Sequence, residues 1–187
     1  MRTGLFKVAY VKTEYSQRVR LLLRHRQAMI QRNKDLINTV CGTQKAFGIH
    51  TGGAKNTLFA QRVRAALDDR MILAMTEPLL GTYEDGLRTL AKIEKMVVTV
   101  ASRDAICRRL MTVPSIGLVV ALMFRTGVDV AHRFDKRLVA AVFGLTPAVH
   151  ASGEIEQVGR ITKCADAMVR ALLYEAANVM MTRRQLA

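Results

Sequence analysis

The segment with the clearest chemical potential is a serine beside a glycine, Ala151-Ser152-Gly153, followed by Arg160 and Lys163. A serine hydroxyl is a weak nucleophile at neutral pH and needs a neighbouring base, cation or metal to stabilise its alkoxide and the transition state. Arg160 could fork onto two phosphate oxygens and Lys163 could act as a point charge if the segment folds back on itself. The pattern makes Ser152 a candidate nucleophile. The alternative is an ordinary turn serine, which is the commoner role.

A second candidate site is the turn Val113-Pro114-Ser115-Ile116-Gly117, which lies between two apolar helical patterns. Gly117 permits a tight bend before the following helix. The free N–H groups and the dipole at a helix N-terminus favour a phosphate, so Ser115, Ile116 and Gly117 are predicted contacts of a helix–hairpin–helix element. The alternative is a turn that only packs two helices together.

No other group of residues indicates a metal or a cofactor. The four histidines show neither H-x-x-x-H nor H-E-x-x-H spacing, so we assign no metal ligand. The chain has no Walker loop and no dinucleotide fingerprint. The three cysteines are odd in number and form no C-x-x-C pair, which favours reduced thiols over a zinc site or a disulfide framework. They are Cys41, Cys107 and Cys164.

The composition indicates a polyanionic partner. The chain has 187 residues with 29 Lys and Arg against 15 Asp and Glu, a formal net charge of +14. Such an excess repels itself in a compact body, and a nucleic-acid backbone neutralises it with release of counterions. An anionic membrane surface and a merely basic protein are the alternatives. Aromatic residues make up only 5%, which argues against a base-stacking platform.

The N-terminal sequence lacks the features of a signal peptide, since its short apolar patch is broken by Lys7. No stretch reaches the roughly 18 apolar residues that a membrane-spanning helix needs. The sequence therefore predicts a cytoplasmic protein with no membrane partner.

Two long segments carry the heptad spacing of coiled-coil helices. After an extended arm over residues 1–13, the first runs from Tyr15 to Phe47, and Arg26 and Asn33 interrupt its apolar seam. Its outer face presents predicted nucleic-acid contacts at Arg18, Arg24 and Arg32.

The second seamed helix is predicted from Tyr83 to Leu110, after a shorter helix over 58–75 and a break at Pro78 and Gly81. Periodicity leaves two arrangements open for residues 14–110: an antiparallel coiled-coil stalk, or a compact bundle with the same stripes in its core.

The pattern changes near residue 110, where we place a domain boundary. The fold class is predicted to be mainly α: long antiparallel coiled-coil helices, then a small helical domain over 111–187. That domain would contain the helix–hairpin–helix-like turn and a short irregular or hairpin segment. Helices are expected at about 117–126, 135–143 and 166–183, with the hairpin segment at 145–162.

Several of these motifs occur together and in order in one known family. The chain resembles transposases of the IS110 group of insertion sequences over nearly its whole length. The resemblance rests on the segment TGLFKVAYVKTEYSQRVRLLLRHRQAMIQRNKDLINTV and, further on, on the P-S-I-G turn, the R-F turn, the G-L-T-P turn, the S-G turn, the G-R-I-T-K run and a final helix. The order of the motifs is far more specific than any one of them.

The resemblance implies a site-specific DNA recombinase of a bacterial mobile element, associated with the nucleoid when it is bound to DNA. Members of the family join a RuvC-like nuclease domain, through a coiled coil, to a C-terminal transposase domain. The resemblance implies that Ser152 is the serine nucleophile and that Arg160 and Lys163 contact phosphates. It also implies a homo-oligomer formed through the coiled coil and, for some members, a structured bridge RNA as a partner.

The sequence departs from the family pattern at the turn, where Ser115 replaces a usual Gly and Leu118 a frequent Pro. The acidic residues that hold Mg²⁺ in the family lie upstream of the segment with which this chain begins. We therefore expect a truncated transposase that has no cofactor of its own, binds nucleic acid and does not complete transposition alone; Mg²⁺ is expected only for the full-length enzyme. A non-catalytic helix–hairpin–helix module for DNA or RNA is the main alternative, and an oligomerisation scaffold is the third.

Overall fold

The computed structural model describes residues 10–50, 58–134, 138–152, 155–164 and 166–182. It confirms a mainly helical fold with a short hairpin. Of the predicted extended arm, only residues 10–13 are described, and they are not helical. The elements in chain order are α1 (Glu14–Ala46), α2 (Phe59–Ala66), α3 (Arg70–Arg103), α4 (Ala105–Leu110), α5 (Leu118–Val128), a 3₁₀ turn (Ala131–Arg133), α6 (Val139–Val142), β1 (Pro147–Ser152), β2 (Ile155–Ile161) and α7 (Ala167–Thr182).

The chain divides into two compact units: Leu22–Val98, and Met1–Leu21 together with Thr99–Ala187. We call the first the helical unit and the second the C-terminal unit. The units change over near residues 21 and 98, whereas the sequence places a domain boundary near residue 110, which stays a prediction. None of the described helices combines the length and the apolar run that crossing a membrane requires.

Within the helical unit, α1 and α3 run antiparallel. Arg26 Nε donates to Glu94 Oε1 at 2.8 Å, and further along α1 Val40 packs in one cluster with Leu80 of α3. Residue numbers therefore rise along α1 as they fall along α3. The predicted antiparallel arrangement of the two long helices is present, and their supercoiling as a coiled coil stays a prediction.

The core of the helical unit lies where α2 packs against this helix pair. Phe59 and Val63 of α2 are fully buried with Tyr83 of α3, and the rings of Phe59 and Tyr83 meet edge to face with centroids 5.3 Å apart. Burying aromatic rings of this size is worth several kcal/mol, so α2 stabilises the end of the pair at which α1 ends.

The seam of α1 keeps its heptad spacing, except at its predicted end. Buried residues include Leu23, Asn33, Val40 and Gln44, which follow steps of three and four residues. Phe47, predicted to close the seam, is instead 62% exposed. The prediction was wrong there because α1 ends at Ala46 and the chain turns away through Gly48, whose φ is +71°.

The predicted break at Pro78 and Gly81 was also wrong, since α3 continues through both residues. Pro78 is exposed, and so is Ala74, whose carbonyl loses its usual partner at position 78; that carbonyl can be hydrated instead. The break lies earlier, between α2 and α3, where Asp69 Oδ1 accepts from Met71 N at 2.7 Å and caps α3.

Asn33 is an unusual member of this seam. It is 5% exposed, and neither its amide nitrogen nor its amide oxygen has a hydrogen-bond partner among the described residues. Gly86 of α3 provides the space, because a Cβ at Gly86 would come within 2.1 Å of Asn33 Oδ1. A buried amide without partners costs stability and is best known as a device that fixes helix register.

We expect Asn33→Leu to stabilise the helical unit by about 1–2 kcal/mol, because leucine is nearly the same shape and has no polar atoms to desolvate. Urea unfolding followed by circular dichroism measures the change, and Asn38→Leu, at an exposed position of the same helix, is the control. If Asn33→Leu loses stability and Asn38→Leu does not, the Asn33 amide must have a hydrogen-bond partner in the folded protein.

The core of the C-terminal unit is built around α5, which packs against α4 and α7. Ala121, Leu122 and Met123 of α5 are fully buried, as is Val169 of α7. The structure confirms a helix here and the hairpin after it. The helix predicted over 135–143 is only α6, Val139–Val142, and residues 135–137 lie outside the described chain.

Candidate nucleic-acid interface

Ser152 is the last residue of β1 and is exposed to solvent. The hairpin is antiparallel, and Ser152 pairs with Ile155 at the start of β2. The predicted turn glycine, Gly153, lies outside the described residues. The hydroxyl is therefore presented at the turn end of a two-stranded ribbon and is not enclosed in the apolar core.

Arg160 and Lys163 lie at the opposite end of the hairpin from Ser152. Arg160 falls between Val158, which pairs with Val149, and Ile161, which pairs with Pro147. Residue 160 is thus level with a position four residues before Ser152, a separation of roughly 13 Å along a strand. Both cations are exposed. The hairpin register therefore brings Arg160 and Lys163 near each other but sets them apart from Ser152.

The base of the hairpin depends on a close approach between two backbone segments. Gly144 has a φ of +62°, and Lys163 also has a positive φ, +55°. Lys163 N donates to Gly144 O at 3.3 Å, and Thr162 N donates to Thr146 O at 3.0 Å. A Cβ at Gly144 would lie 2.8 Å from Cys164 N, so only glycine fits there.

Gly144→Ala is accordingly expected to destabilise the C-terminal unit by at least about 2 kcal/mol, through backbone strain and a clash that no flexible side chain can relieve. The matched control is Gly81→Ala, since Gly81 lies inside α3 with open space around its Cα; this change should stabilise by about 0.5–1 kcal/mol. Thermal unfolding measures the stability change in both variants. Equal changes would refute the close approach of Gly144 to the backbone of Lys163 and Cys164.

The turn before α5 has the backbone geometry of a helix start. Ser115 has a φ of +68°, a conformation that favours glycine. Ile116 N donates to Val113 O at 3.2 Å, and Gly117 caps α5 without a side-chain hydrogen bond. A glycine, which the resemblance to IS110-group transposases implies at position 115, would adopt this positive φ without strain. Phosphate binding by the turn stays a prediction.

A buried carboxylate, Asp129, ties the start of the chain to the end of α5. Asp129 is only 6% exposed and accepts hydrogen bonds from Tyr10 Oη at 2.6 Å, Thr13 N at 2.8 Å, Thr13 Oγ1 at 2.6 Å and Ser16 Oγ at 2.5 Å. We call these four residues the Asp129 cluster. Burial by itself would raise the pKa of Asp129, but hydrogen bonds from Ser16, Thr13 and Tyr10 outweigh burial and hold that pKa well below its usual value.

Lys12 reinforces this attachment. Its Nζ donates to Thr126 O and Gly127 O, each at 2.6 Å, which are carbonyls in the last turn of α5. A cation at a helix C-terminus interacts favourably with the helix dipole. Burial lowers the pKa of Lys12, so this contact holds a partly desolvated charge against backbone carbonyls.

Two further carboxylates in the C-terminal unit, Asp104 and Asp166, also accept hydrogen bonds from donors of the chain. Asp104 caps α4 by accepting from Ile106 N at 2.8 Å, and it accepts from Tyr15 Oη at 2.9 Å. Asp166 caps α7 and is paired with Arg20. Burial acts to raise the pKa of both carboxyls, yet these hydrogen bonds hold each pKa below its usual value.

The positive charge, by contrast, is left at the surface. Several arginines and lysines are exposed and form no ion pair with a described acidic residue, so the internal pairing of carboxylates leaves an outward electropositive surface. Of the three cations predicted on α1, Arg18 is exposed and paired with Glu14. The exposed cations that lack a described ion pair include Arg24, Arg32, Arg103, Arg108, Arg109, Arg160 and Lys163.

The described residues contain no cluster of three His, Cys, Asp or Glu side chains that could hold a metal ion. Asp104, Asp129 and Asp166 are instead engaged by donors of their own chain. The donor set in this part of the chain therefore does not fit a Mg²⁺ site, and the expectation of Mg²⁺ for a longer enzyme stays untested.

Comparison with known proteins shows what the chain is similar to. The profile described as Transposase IS116/IS110/IS902 family matches residues 107–187. A Coxiella burnetii protein named Transposase for insertion sequence element IS1111A is 30% identical over 186 residues, covering 91% of this chain and 48% of that relative. These matches support an IS110-group transposase, and they assign residues 107–187 to the IS116/IS110/IS902 transposase family.

A second relative comes from Pseudomonas aeruginosa and is described as a probable family 20 transposase. It is 29% identical over 178 residues, covering 91% of the chain and 52% of the relative. The chain spans about half the length of the curated relatives it matches. The region matched by the family profile contains the turn before α5, the hairpin with Ser152, and α7.

Sequence reasoning missed how three carboxylates, Asp104, Asp129 and Asp166, organise the C-terminal unit. Asp104 and Asp166 each cap the helix that follows. The sequence predicts a helix start at residue 166, beside Asp166, but it predicts Asp104 inside the helix from Tyr83 to Leu110. Asp129 gave no local signal, because its partners in the Asp129 cluster lie more than one hundred residues earlier in the chain.

Proposed function

We propose that this chain is the DNA-binding and nucleophile-bearing part of an insertion-sequence transposase, with Ser152 as the nucleophile for DNA strand cleavage and exchange. The supporting observation is the placement of Ser152 at the exposed turn end of the hairpin, inside the family-matched region. A reactive hydroxyl must be reachable by a phosphodiester held in a duplex, and an exposed ribbon end satisfies that need.

The chemistry follows from the hydroxyl. Ser152 Oγ attacks the phosphorus, an Oγ–P bond forms, and the P–O bond to the leaving sugar oxygen breaks. The proton of the serine hydroxyl is lost and the leaving oxygen gains one, so the exchange is balanced. The phosphoserine link conserves the bond energy, which allows resealing without a high-energy cofactor.

In this proposal Arg160 and Lys163 hold the DNA backbone at the base of the hairpin rather than the scissile phosphate itself. Their distance from Ser152 along the strands supports this division of roles. Ser115, Ile116 and Gly117 would bind a further phosphate through the start of α5. The cations of α1, Arg24 and Arg32 among them, would extend the contact along the backbone.

A second candidate function is a non-catalytic DNA- or RNA-binding module of the helix–hairpin–helix type. The observation that favours it is the separation of Ser152 from Arg160 and Lys163 along the hairpin. Neither cation lies beside Ser152, where it could stabilise the serine alkoxide. A bridge RNA as partner and a homo-oligomer formed through α1 and α3 are further parts of the proposal that come from the family alone.

Salt titration tests the binding claim common to both candidates. DNA affinity should fall steeply with salt, and Arg160→Gln and Lys163→Gln should each reduce the slope of log K against log salt by about 1. Glu175→Gln, at an exposed position of α7, is the control and should leave the slope unchanged. Affinity that is insensitive to salt would reject nucleic-acid binding and leave an oligomerisation scaffold.

The nucleophile is tested by trapping a covalent protein–DNA adduct on a nicked substrate, in a protein with the full length of the relatives of which this chain spans about half. Ser152→Ala should abolish the adduct, while Ser115→Ala, which changes the other candidate serine, should keep it. An adduct that persists in Ser152→Ala would reject Ser152, and DNA binding without any adduct would favour the non-catalytic module.

A further inference from the structure

A cavity of about 450 Å³ lies in the C-terminal unit, away from the hairpin in sequence. It is lined by Tyr15 of α1, Val100 and Arg103 at the end of α3, Asp104, and Arg125 of α5. Its size falls within the usual range for small-molecule sites.

The charge available in this cavity is positive. Asp104 is fully engaged: it caps α4, accepts from Tyr15 Oη and lies 3.6 Å from Arg125 Nε. Arg103 is exposed and has no ion pair or hydrogen bond among the described residues. Arg125 has a side chain only 21% exposed and is already engaged, since its Nη1 donates to Asp129 O and its Nε pairs with Asp104. Arg103 is therefore the cation in this cavity that an anionic ligand can reach.

The walls of the cavity also favour a ligand with an apolar, flat part. Val100 contributes an aliphatic surface, and the ring of Tyr15 lies beneath the Arg125 guanidinium, with 5.8 Å between its centroid and Arg125 Cζ. The hydrogen bond to Asp104 fixes that ring in place. An aromatic ring next to a guanidinium favours a flat, polarisable partner. A bare phosphate would leave these walls without a contact.

We propose that this cavity binds one unpaired nucleotide of a nucleic-acid strand, with its phosphate on Arg103 and its base against the Tyr15 and Val100 walls. The inference rests on the proposed function in taking nucleic acid as the partner. The cavity would be an additional site that binds a single base outside the duplex. Such a site is useful to a protein that acts on nucleic acid whose strands are opened.

The first test uses adenosine 5′-monophosphate and inorganic phosphate as probes of the full chain, with binding followed by NMR chemical shifts. We expect the nucleotide to bind more tightly than phosphate, and Arg103→Gln to weaken it about tenfold or more. Arg109→Gln, an exposed arginine of α4 outside the cavity, should change it less than twofold. Val100→Phe, which fills the cavity, should abolish binding in a protein whose circular dichroism is unchanged. Equal affinity for the two probes, or equal losses in Arg103→Gln and Arg109→Gln, would overturn the proposal.

A second measurement separates this proposal from the proposed function. A single-stranded oligonucleotide carrying one 2-aminopurine is compared with its fully paired duplex. Arg103→Gln should weaken the single strand more than the duplex, and the fluorescence change of the base should disappear. Intact duplex binding with no nucleotide binding would refute the cavity alone. Nucleotide binding with no salt-dependent DNA binding would refute the proposed function alone.

Discussion

Replacing Asp129 by alanine is expected to destabilise the C-terminal unit by at least about 3 kcal/mol. The change removes one carboxylate that accepts four hydrogen bonds and leaves Thr13 N and the buried hydroxyl of Ser16 without partners. Hydrogen bonds to a charged group are worth about 1.5–3 kcal/mol each, and an orphaned buried donor adds its own desolvation cost. Few single residues in this unit hold as many groups.

Urea unfolding measures this loss, and hydrogen exchange shows where it arises. The peptide covering residues 10–17 should exchange much faster in Asp129→Ala, because these residues are held to the end of α5 by the Asp129 cluster. Glu175→Ala, an exposed acidic residue of the same unit, is the matched control and should change neither. Unchanged exchange in residues 10–17 would show that contacts outside the Asp129 cluster, such as those of Lys12 and of Tyr15, hold this segment.

The same cluster predicts a pH dependence. The folded pKa of Asp129 lies below its unfolded value, which is about 3.9. Its contribution to stability is therefore fully present above about pH 5 and is lost as pH falls through the unfolded and then the folded pKa. The stability difference between the native protein and Asp129→Asn should shrink steadily below about pH 4. A difference that grows on acidification would contradict the assigned sign.

Local chemistry explains which parts of the fold could be predicted. The 3- and 4-residue spacing of α1 and the Gly-bounded pattern after residue 144 are short-range signals, and the structure confirms a long helix and a hairpin there. The predictions for Phe47 and Pro78 were wrong because tertiary context decides whether each residue is buried or ends a helix. Phe47 lies past the end of α1 and is exposed. Pro78 is exposed, so water can replace the hydrogen bond that the helix loses there.

The candidate site was predictable in its residues but not in its geometry. Ser152, Arg160 and Lys163 could be singled out from residue type and order. Their separation along the hairpin could not, because it depends on strand register and on the irregularity between Pro147 and Val149. The role of Asp129 could not be predicted for a related reason. The described partners of its side chain, Tyr10, Thr13 and Ser16, lie more than one hundred residues earlier in the chain.

Replacing Ser152 by alanine is expected to abolish covalent attachment to DNA while DNA affinity stays within about twofold. The hydroxyl is exposed at the end of a strand, so its loss removes the nucleophile without removing packing or a buried hydrogen bond. This combination distinguishes a reactive serine from a contact serine, since losing a contact would reduce affinity and adduct formation together.

The assay needs a protein with the full length of the relatives of which this chain spans about half, together with a nicked DNA substrate. Adduct yield and affinity are measured side by side for the native protein, Ser152→Ala and Ser115→Ala. The unfolding midpoint of each variant should match that of the native protein, because neither hydroxyl is fully buried. Parallel losses of adduct and affinity in both variants would indicate a general weakening of binding.

The most direct measurement is mass spectrometry of the protease-digested adduct. The account predicts that the nucleotide mass is carried by the peptide containing Ser152, and that fragmentation places the phosphodiester on its Oγ. A nucleotide attached to any other residue, or an adduct of unchanged yield in Ser152→Ala, would contradict the central claim.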